Sequence, residues 1–158
     1  MIKIVLIDID GVLTNGKVII DSVGKEAKTI NFKDIDAVFE MKRQGLKVGL
    51  LTGEDTPITQ LFNERFKPDF FYKGCKDKSA ALDEILSQTG DGENEVCYIG
   101  DGKYDIPILK RVNFAACPAN AIQKVKEISN IPLKQNGGDG CLWELMEWIL
   151  HRNEEDKC

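Results

Sequence analysis

The chain has 158 residues, 42% apolar and 30% charged, the balance of a globular domain with one core and not of a disordered chain. Its formal charge is −5 and no stripe of clustered Lys and Arg is present, which argues against nucleic-acid binding. The one histidine, His151, lies in a polar C-terminal stretch, so a histidine-built zinc site and a Ser-His or Cys-His pair are excluded.

Ile4 to Ile7 is a continuous aliphatic run, the pattern of a parallel strand buried on both faces. It is too short for a signal peptide or a membrane span, and no other run approaches that length. Cys75, Cys97, Cys117, Cys141 and Cys158 are odd in number and form no C-x-x-C pair, which reads as reduced packing cysteines. The protein is therefore expected to be soluble and cytoplasmic, with no membrane partner.

Val18–Asp21 and Ala27–Phe32 flank the turn-like Ser22–Lys25 and predict a hairpin standing off the main sheet. Helical spacing covers Asp34 to Gln44, stopped by Gly45, and Leu46–Leu51 is the next buried strand. Thr56-Pro57 opens a helix to about Phe66 with Thr as N-cap and Pro at the first position. Phe70–Tyr72 is a short strand, and Asp77 caps a helix from Lys78 to Ser87. Val96–Ile99 and Phe114–Cys117 are further buried strands, Asp105–Arg111 and Ala121–Ser129 helices. Gly137–Gly140 is a flexible joint before a last helix, Leu142–Leu150, and residues 154–158 are expected to fray. This alternation predicts one α/β domain over residues 1–158, a Rossmann-like three-layer sandwich around a central parallel sheet, with the hairpin protruding and no large cap domain.

In such a fold the site lies at the carboxyl ends of the strands. Asp8-Ile9-Asp10-Gly11 follows the first strand, Thr52-Gly53-Glu54 the second, Asp77-Lys78 opens a helix, and Gly100-Asp101-Gly102-Lys103-Tyr104-Asp105 follows the third buried strand. In an extended segment Asp8 and Asp10 point to the same side. With Asp101 they make three acids suited to an oxygen-loving cation such as Mg²⁺. A carboxylate screened by that cation can act as a nucleophile toward phosphate, and a second can protonate the leaving oxygen and then activate water. Thr52 offers a hydroxyl and backbone donors, and Lys78 a point charge, to phosphate oxygens. Taken singly, a D-x-D pair is usually solvated, Thr-Gly a turn and a lysine a surface charge. Lys78 is nonetheless misplaced at a positive helix N-terminus.

Asp8–Thr14, Leu51–Gly53, Asp77-Lys78 and Ile99–Asp101 with Asp105 resemble the four motifs of the haloacid dehalogenase superfamily. Asp10–Gly16, the hairpin, Gly74–Leu82 and Gly137–Gly140 are similar to its cap-less sugar-acid phosphatases, over roughly residues 2 to 150. The resemblance implies a phosphatase of a sugar-acid phosphate, 3-deoxy-manno-octulosonate 8-phosphate or a nonulosonate 9-phosphate. It implies Asp8 as nucleophile and Mg²⁺ ligand, and Asp10 as general acid/base and a ligand through its backbone carbonyl. Thr52, Gly53 and Lys78 would hold phosphate, Asp101 would complete the metal ligands, and Asp105 would support them. It also implies a homotetramer built through the hairpin, residues 17–32. Two positions depart from the pattern: Gly102 where the fourth motif usually has a second Asp, and Glu54 where octulosonate enzymes generally have Arg. Glu54 reads equally as a contact for sugar hydroxyls, pointing to a nine-carbon acid, or as a helix-entry acid. The alternative function is a non-catalytic assembly module, like the domains fused to sialic-acid cytidylyltransferases.

Overall fold

β1 (Ile4–Asp8) has every residue buried because it is the middle of a sheet covered on both sides. Val5 and Ile7 pack into one apolar layer and Ile4 and Leu6 into the other, the period-2 alternation of a strand with no solvent face. The computed structural model describes residues Met1 to Cys158.

After β1 the chain makes a tight turn over Ile9–Leu13 and enters a hairpin of β2 (Ile19–Ile20) and β3 (Glu26–Ala27). α1 (Phe32–Arg43) leads to β4 (Lys47–Leu51), α2 (Pro57–Phe66) to β5 (Phe70–Tyr72), and α3 (Lys78–Thr89) to β6 (Val96–Ile99). A short 3₁₀ turn, Lys103–Asp105, runs into α4 (Ile106–Leu109); β7 (Phe114–Cys117), α5 (Gln123–Ile128), β8 (Ile131–Pro132) and α6 (Cys141–Glu155) complete the chain. The sheet is six-stranded and wholly parallel, in the order β5-β4-β1-β6-β7-β8. The chain winds outward from β1 through β4 to β5, then returns to start again at β6 on the other side of β1. The carboxyl ends of β1 and β6 therefore flank the switch in winding, where a doubly wound sheet leaves a crevice.

One layer packs α1, α2 and α6 on the sheet through Ile35, Val38, Met41, Phe62, Phe66, Leu145 and Ile149. The opposite layer packs α3, α4 and α5 through Leu82, Ile85, Ile108 and Val125. Each such side chain contributes about 1.5–3 kcal/mol of burial. The α/β sandwich, the parallel sheet and the protruding hairpin agree with expectation, and no large cap is inserted.

The differences are local. β8 was not foreseen: two residues carry no periodicity, and Pro132 is tolerated because β8 is an edge strand. The hairpin strands are shorter than expected, since the Asp21 carboxylate accepts from Val23 and Lys25 N–H and tightens the turn. Phe32 belongs to α1, which starts at an Asn31 cap accepting from Lys33 N–H. The C-terminal stretch is not frayed as far as Glu155. Asn153 exchanges two hydrogen bonds with the Ile2 backbone, at 2.7 and 2.8 Å, and Asp156 pairs with the Met1 ammonium at 2.8 Å. No helix is long and apolar enough to cross a membrane.

Candidate active site

β1 ends on Asp8, opposite Leu51 at the end of β4, so the carboxylate emerges where the central strands stop. It remains buried, and its Oδ1 accepts from Lys78 Nζ at 2.8 Å. Lys78 is the first residue of α3, whose N-terminus is capped by the Asp77 side chain accepting from Ala80 N–H. The ammonium also donates to Asp105 Oδ1 at 2.6 Å, and the Tyr98 hydroxyl donates to the same oxygen. Asp105 Oδ2 accepts from Asp101 and Gly102 N–H, both at 3.0 Å. Asp105 thus has both oxygens engaged and fixes the loop after β6.

Asp8, Asp101 and Asp105 bring carboxylate oxygens within 4.8 Å of one another. Burial pushes the Asp8 carboxyl well above the usual carboxylate range, with the Asp105 charge adding and Lys78 opposing. Burial also raises Asp101. At Lys78 burial works against the charge, but Asp8 and Asp105 outweigh it and the ammonium is held more tightly than usual. One lysine does not balance three acids, so the cluster calls for more positive charge, and an all-oxygen donor set with two carboxylates not fully committed fits a hard divalent cation.

Glycine sets how close these groups come. Gly11 has φ +89°, and a Cβ there would stand 1.8 Å from Asp101 Oδ2. Asp101 reaches the turn after β1 only because Gly11 has no side chain. From the other side, a Cβ on Gly137 would lie 1.8 Å from the Gly11 carbonyl oxygen, and Gly138 N–H donates to Val12 O. The Gly137–Gly140 stretch expected to be a flexible joint is instead packed against the turn after β1. Asp34, fully buried on α1, secures it by accepting from Gly140 and Leu142 N–H.

Thr52 is held by its backbone, N–H to Tyr72 O and carbonyl from Cys75 N–H, both 2.8 Å. Its hydroxyl accepts from Glu54 N–H at 3.1 Å and keeps its proton for another acceptor. Gly53 N–H has no acceptor within the protein. Glu54 is exposed at the mouth.

Asp8, Asp10, Thr52, Gly53, Glu54, Lys78, Asp101 and Asp105 all line one cleft of about 360 Å³. The residue reading placed Asp10 among three clustered acids, and here the structure differs. The strand stops at Asp8, the chain turns, and the Asp10 carboxylate leaves the acid cluster to pair with Lys28 Nζ at 2.7 Å. Asp105 takes its place because the 3₁₀ turn Lys103–Asp105 curls its side chain back over β6. Sequence reasoning also missed Tyr98, which an apolar strand presents as core, and Lys28, which nothing in the hairpin distinguishes from its exposed neighbours Lys17 and Lys25.

Residues 69–145 match the family of haloacid dehalogenase-like hydrolases. The chain is 29% identical over 149 residues to the 3-deoxy-D-manno-octulosonate 8-phosphate phosphatase of Haemophilus influenzae, covering 94% of this chain and 83% of that one. A crystal structure of a probable YrbI family phosphatase from Pseudomonas syringae superposes with TM-score 0.91 at 31% identity, over 95% of this chain and 85% of that one. The 3-deoxy-D-manno-octulosonate 8-phosphate phosphatase of Moraxella catarrhalis, solved with magnesium ion, phosphate ion and KDO, superposes with TM-score 0.90 at 25% identity, over 95% and 86%. An assembly module without chemistry gives way to these likenesses: the chain belongs to the haloacid dehalogenase-like hydrolases and is a divalent-metal phosphoric monoester hydrolase.

Proposed function

We propose that this chain, working as one catalytic domain, hydrolyses a sugar-acid phosphate with Mg²⁺ through a phospho-aspartate on Asp8. The observation that carries the reading is the Asp8 carboxylate, buried at the end of the central strand and facing the cleft beside Lys78 and Asp101. Mg²⁺, held by Asp8, Asp101 and the Asp10 carbonyl, would screen the acids and draw charge from the phosphate. Thr52 Oγ1, Gly53 N–H and Lys78 Nζ hold the phosphate oxygens. Asp8 attacks phosphorus, the ester P–O bond breaks, and Asp10 gives its proton to the departing sugar oxygen. Water then attacks the phospho-aspartate, Asp10 takes its proton, and inorganic phosphate leaves.

3-Deoxy-D-manno-octulosonate 8-phosphate is the first substrate to test, since the Haemophilus influenzae and Moraxella catarrhalis relatives are phosphatases of it. Glu54 at the cleft mouth suits sugar hydroxyls better than a carboxylate and keeps nonulosonate 9-phosphates in the panel. Five unpaired cysteines fit a reducing cytoplasm. Val18, Ile19, Ile20 and Val23 on the hairpin, all exposed, support a homotetramer built there; a single 17.7 kDa species in sedimentation velocity would overturn that assembly.

The test is phosphate release from eight- and nine-carbon keto-acid phosphates with Mg²⁺ or with chelator. Selective, Mg²⁺-dependent release is expected, and Asp8→Asn should lose at least about 10⁴-fold in kcat with its melting temperature kept. Turnover retained in that variant would remove Asp8 as nucleophile.

A further inference from the structure

Asp10 Oδ1 accepts from Lys28 Nζ at 2.7 Å. Lys28 comes from the hairpin, one residue beyond β3, where Lys17 and Lys25 lie exposed. Its own side chain is only 8% exposed, against 33% for Asp10. Elsewhere the ion-paired lysines Lys3, Lys73 and Lys124 sit at 47–59% exposure, and only Lys78 is as deeply placed. Lys28 lines a groove with Ile30, Ile58, Leu61, Phe62 and Arg65, and its ammonium reaches Asp10 in the turn after β1. Ordering and desolvating a lysine in this way costs side-chain entropy and hydration.

The arrangement has a chemical consequence. An ammonium has three donors and no acceptor. While the pair holds, Asp10 Oδ1 serves as an acceptor whether the carboxyl is charged or neutral, so any proton on Asp10 sits on Oδ2. We propose that Lys28 is a positioning residue for Asp10: the hairpin delivers its ammonium to Oδ1, so that Oδ2 alone carries the proton to the leaving oxygen and receives it back from water. This rests on the reading of Asp10 as general acid/base given above. Lys28 itself gains and loses nothing in either step. The proton moves from Asp10 Oδ2 to the ester oxygen as the P–O bond breaks, and from water to Oδ2 as the Asp8–phosphorus linkage breaks.

The test compares two leaving groups at saturating Mg²⁺. The 8-oxygen of 3-deoxy-D-manno-octulosonate 8-phosphate leaves as a poor alkoxide and needs the proton, whereas p-nitrophenolate scarcely does. Lys28→Met should lower kcat/KM for the sugar ester by about 10–100-fold and for p-nitrophenyl phosphate by less than about 3-fold, and Lys28→Arg should restore part of the loss. Asp10→Asn, measured alongside, must show the same split; if it does not, the acid/base reading of Asp10 fails first. If Asp10→Asn splits the substrates but Lys28→Met slows both equally, or speeds the sugar ester, the positioning role is overturned. Lys28→Gln serves in the same comparison should the Met variant not fold.

Discussion

Two aspartates two residues apart each hold a lysine, and the two pairs could hardly be more different. Asp8 and Lys78 are locked at the end of the central sheet, with Lys78 also held by Asp105, which Tyr98 and two backbone N–H groups fix in turn. Asp10 and Lys28 meet in a half-open position, one partner on a turn and the other on a hairpin that makes no strand pairing with the main sheet. The first pair belongs to the fold's rigid frame; the second joins that frame to an appendage. The proposed nucleophile is built into the sheet, while the proposed acid/base is held by one oxygen and left free at the other.

Breaking the inner pair should cost most. Asp105→Ala strips Lys78 and Tyr98 of a buried partner, and a loss of about 3–5 kcal/mol in urea denaturation is expected. Lys28→Met, at the half-open pair, should lose no more than about 1 kcal/mol. Equal losses would mean the two pairs are alike after all.

The comparison sharpens with pH. Burial raises Asp8 and Asp101 and the Asp105 charge adds to both, so the folded, metal-free protein binds protons more tightly at these groups than the unfolded chain. Its stability from these groups therefore falls as pH rises from the ordinary carboxylate range through their raised range. Mg²⁺ must displace those protons, so the melting-temperature gain it confers should be larger at pH 8 than at pH 5. Asp101→Asn should abolish most of that gain and Asp10→Asn should preserve it, since the Asp10 carboxylate stands outside the cluster. A gain independent of pH in calorimetry would sink the account.

The smallest effect is expected at Gly102. A Cβ there would meet nothing nearer than Asp105 Oδ2 at 3.9 Å, and the backbone N–H that serves Asp105 is present in any residue but proline. Gly102→Asp should fold normally and tighten Mg²⁺ by about 2–5-fold in titration calorimetry, an added carboxylate at the rim being screened by water. Tightening far beyond that range would show that the missing acid is not merely spare.

Much of this was legible beforehand, for a physical reason. In a parallel sheet each buried strand reads as an aliphatic run, and all such runs end on the same edge, so residues after Ile7, Leu51 and Ile99 had to converge. Asp8, Thr52 and Asp101 are legible that way, and Lys78 as a cation misplaced at a helix start. What was not legible depends on turns that periodicity does not describe. The kink at Gly11 sends Asp10 out of the acid cluster, and the single turn at Lys103–Asp105 brings Asp105 in. Lys28 is set by the path of a two-residue hairpin, and β8 by pairing with β7 alone.

The contact between Gly137 and Gly11 places two backbones against each other with no side chain between them. Most neighbouring segments in a protein can drift apart and re-adjust as residues are exchanged, because side-chain volume can be traded across the gap. Here there is none to trade. In a saturation library, positions 11 and 137 should tolerate no replacement, with no paired change that rescues a first one. Engineering of this enzyme's selectivity is thereby steered to other residues that line the cleft, Glu54, Lys76, Lys103 and Tyr104.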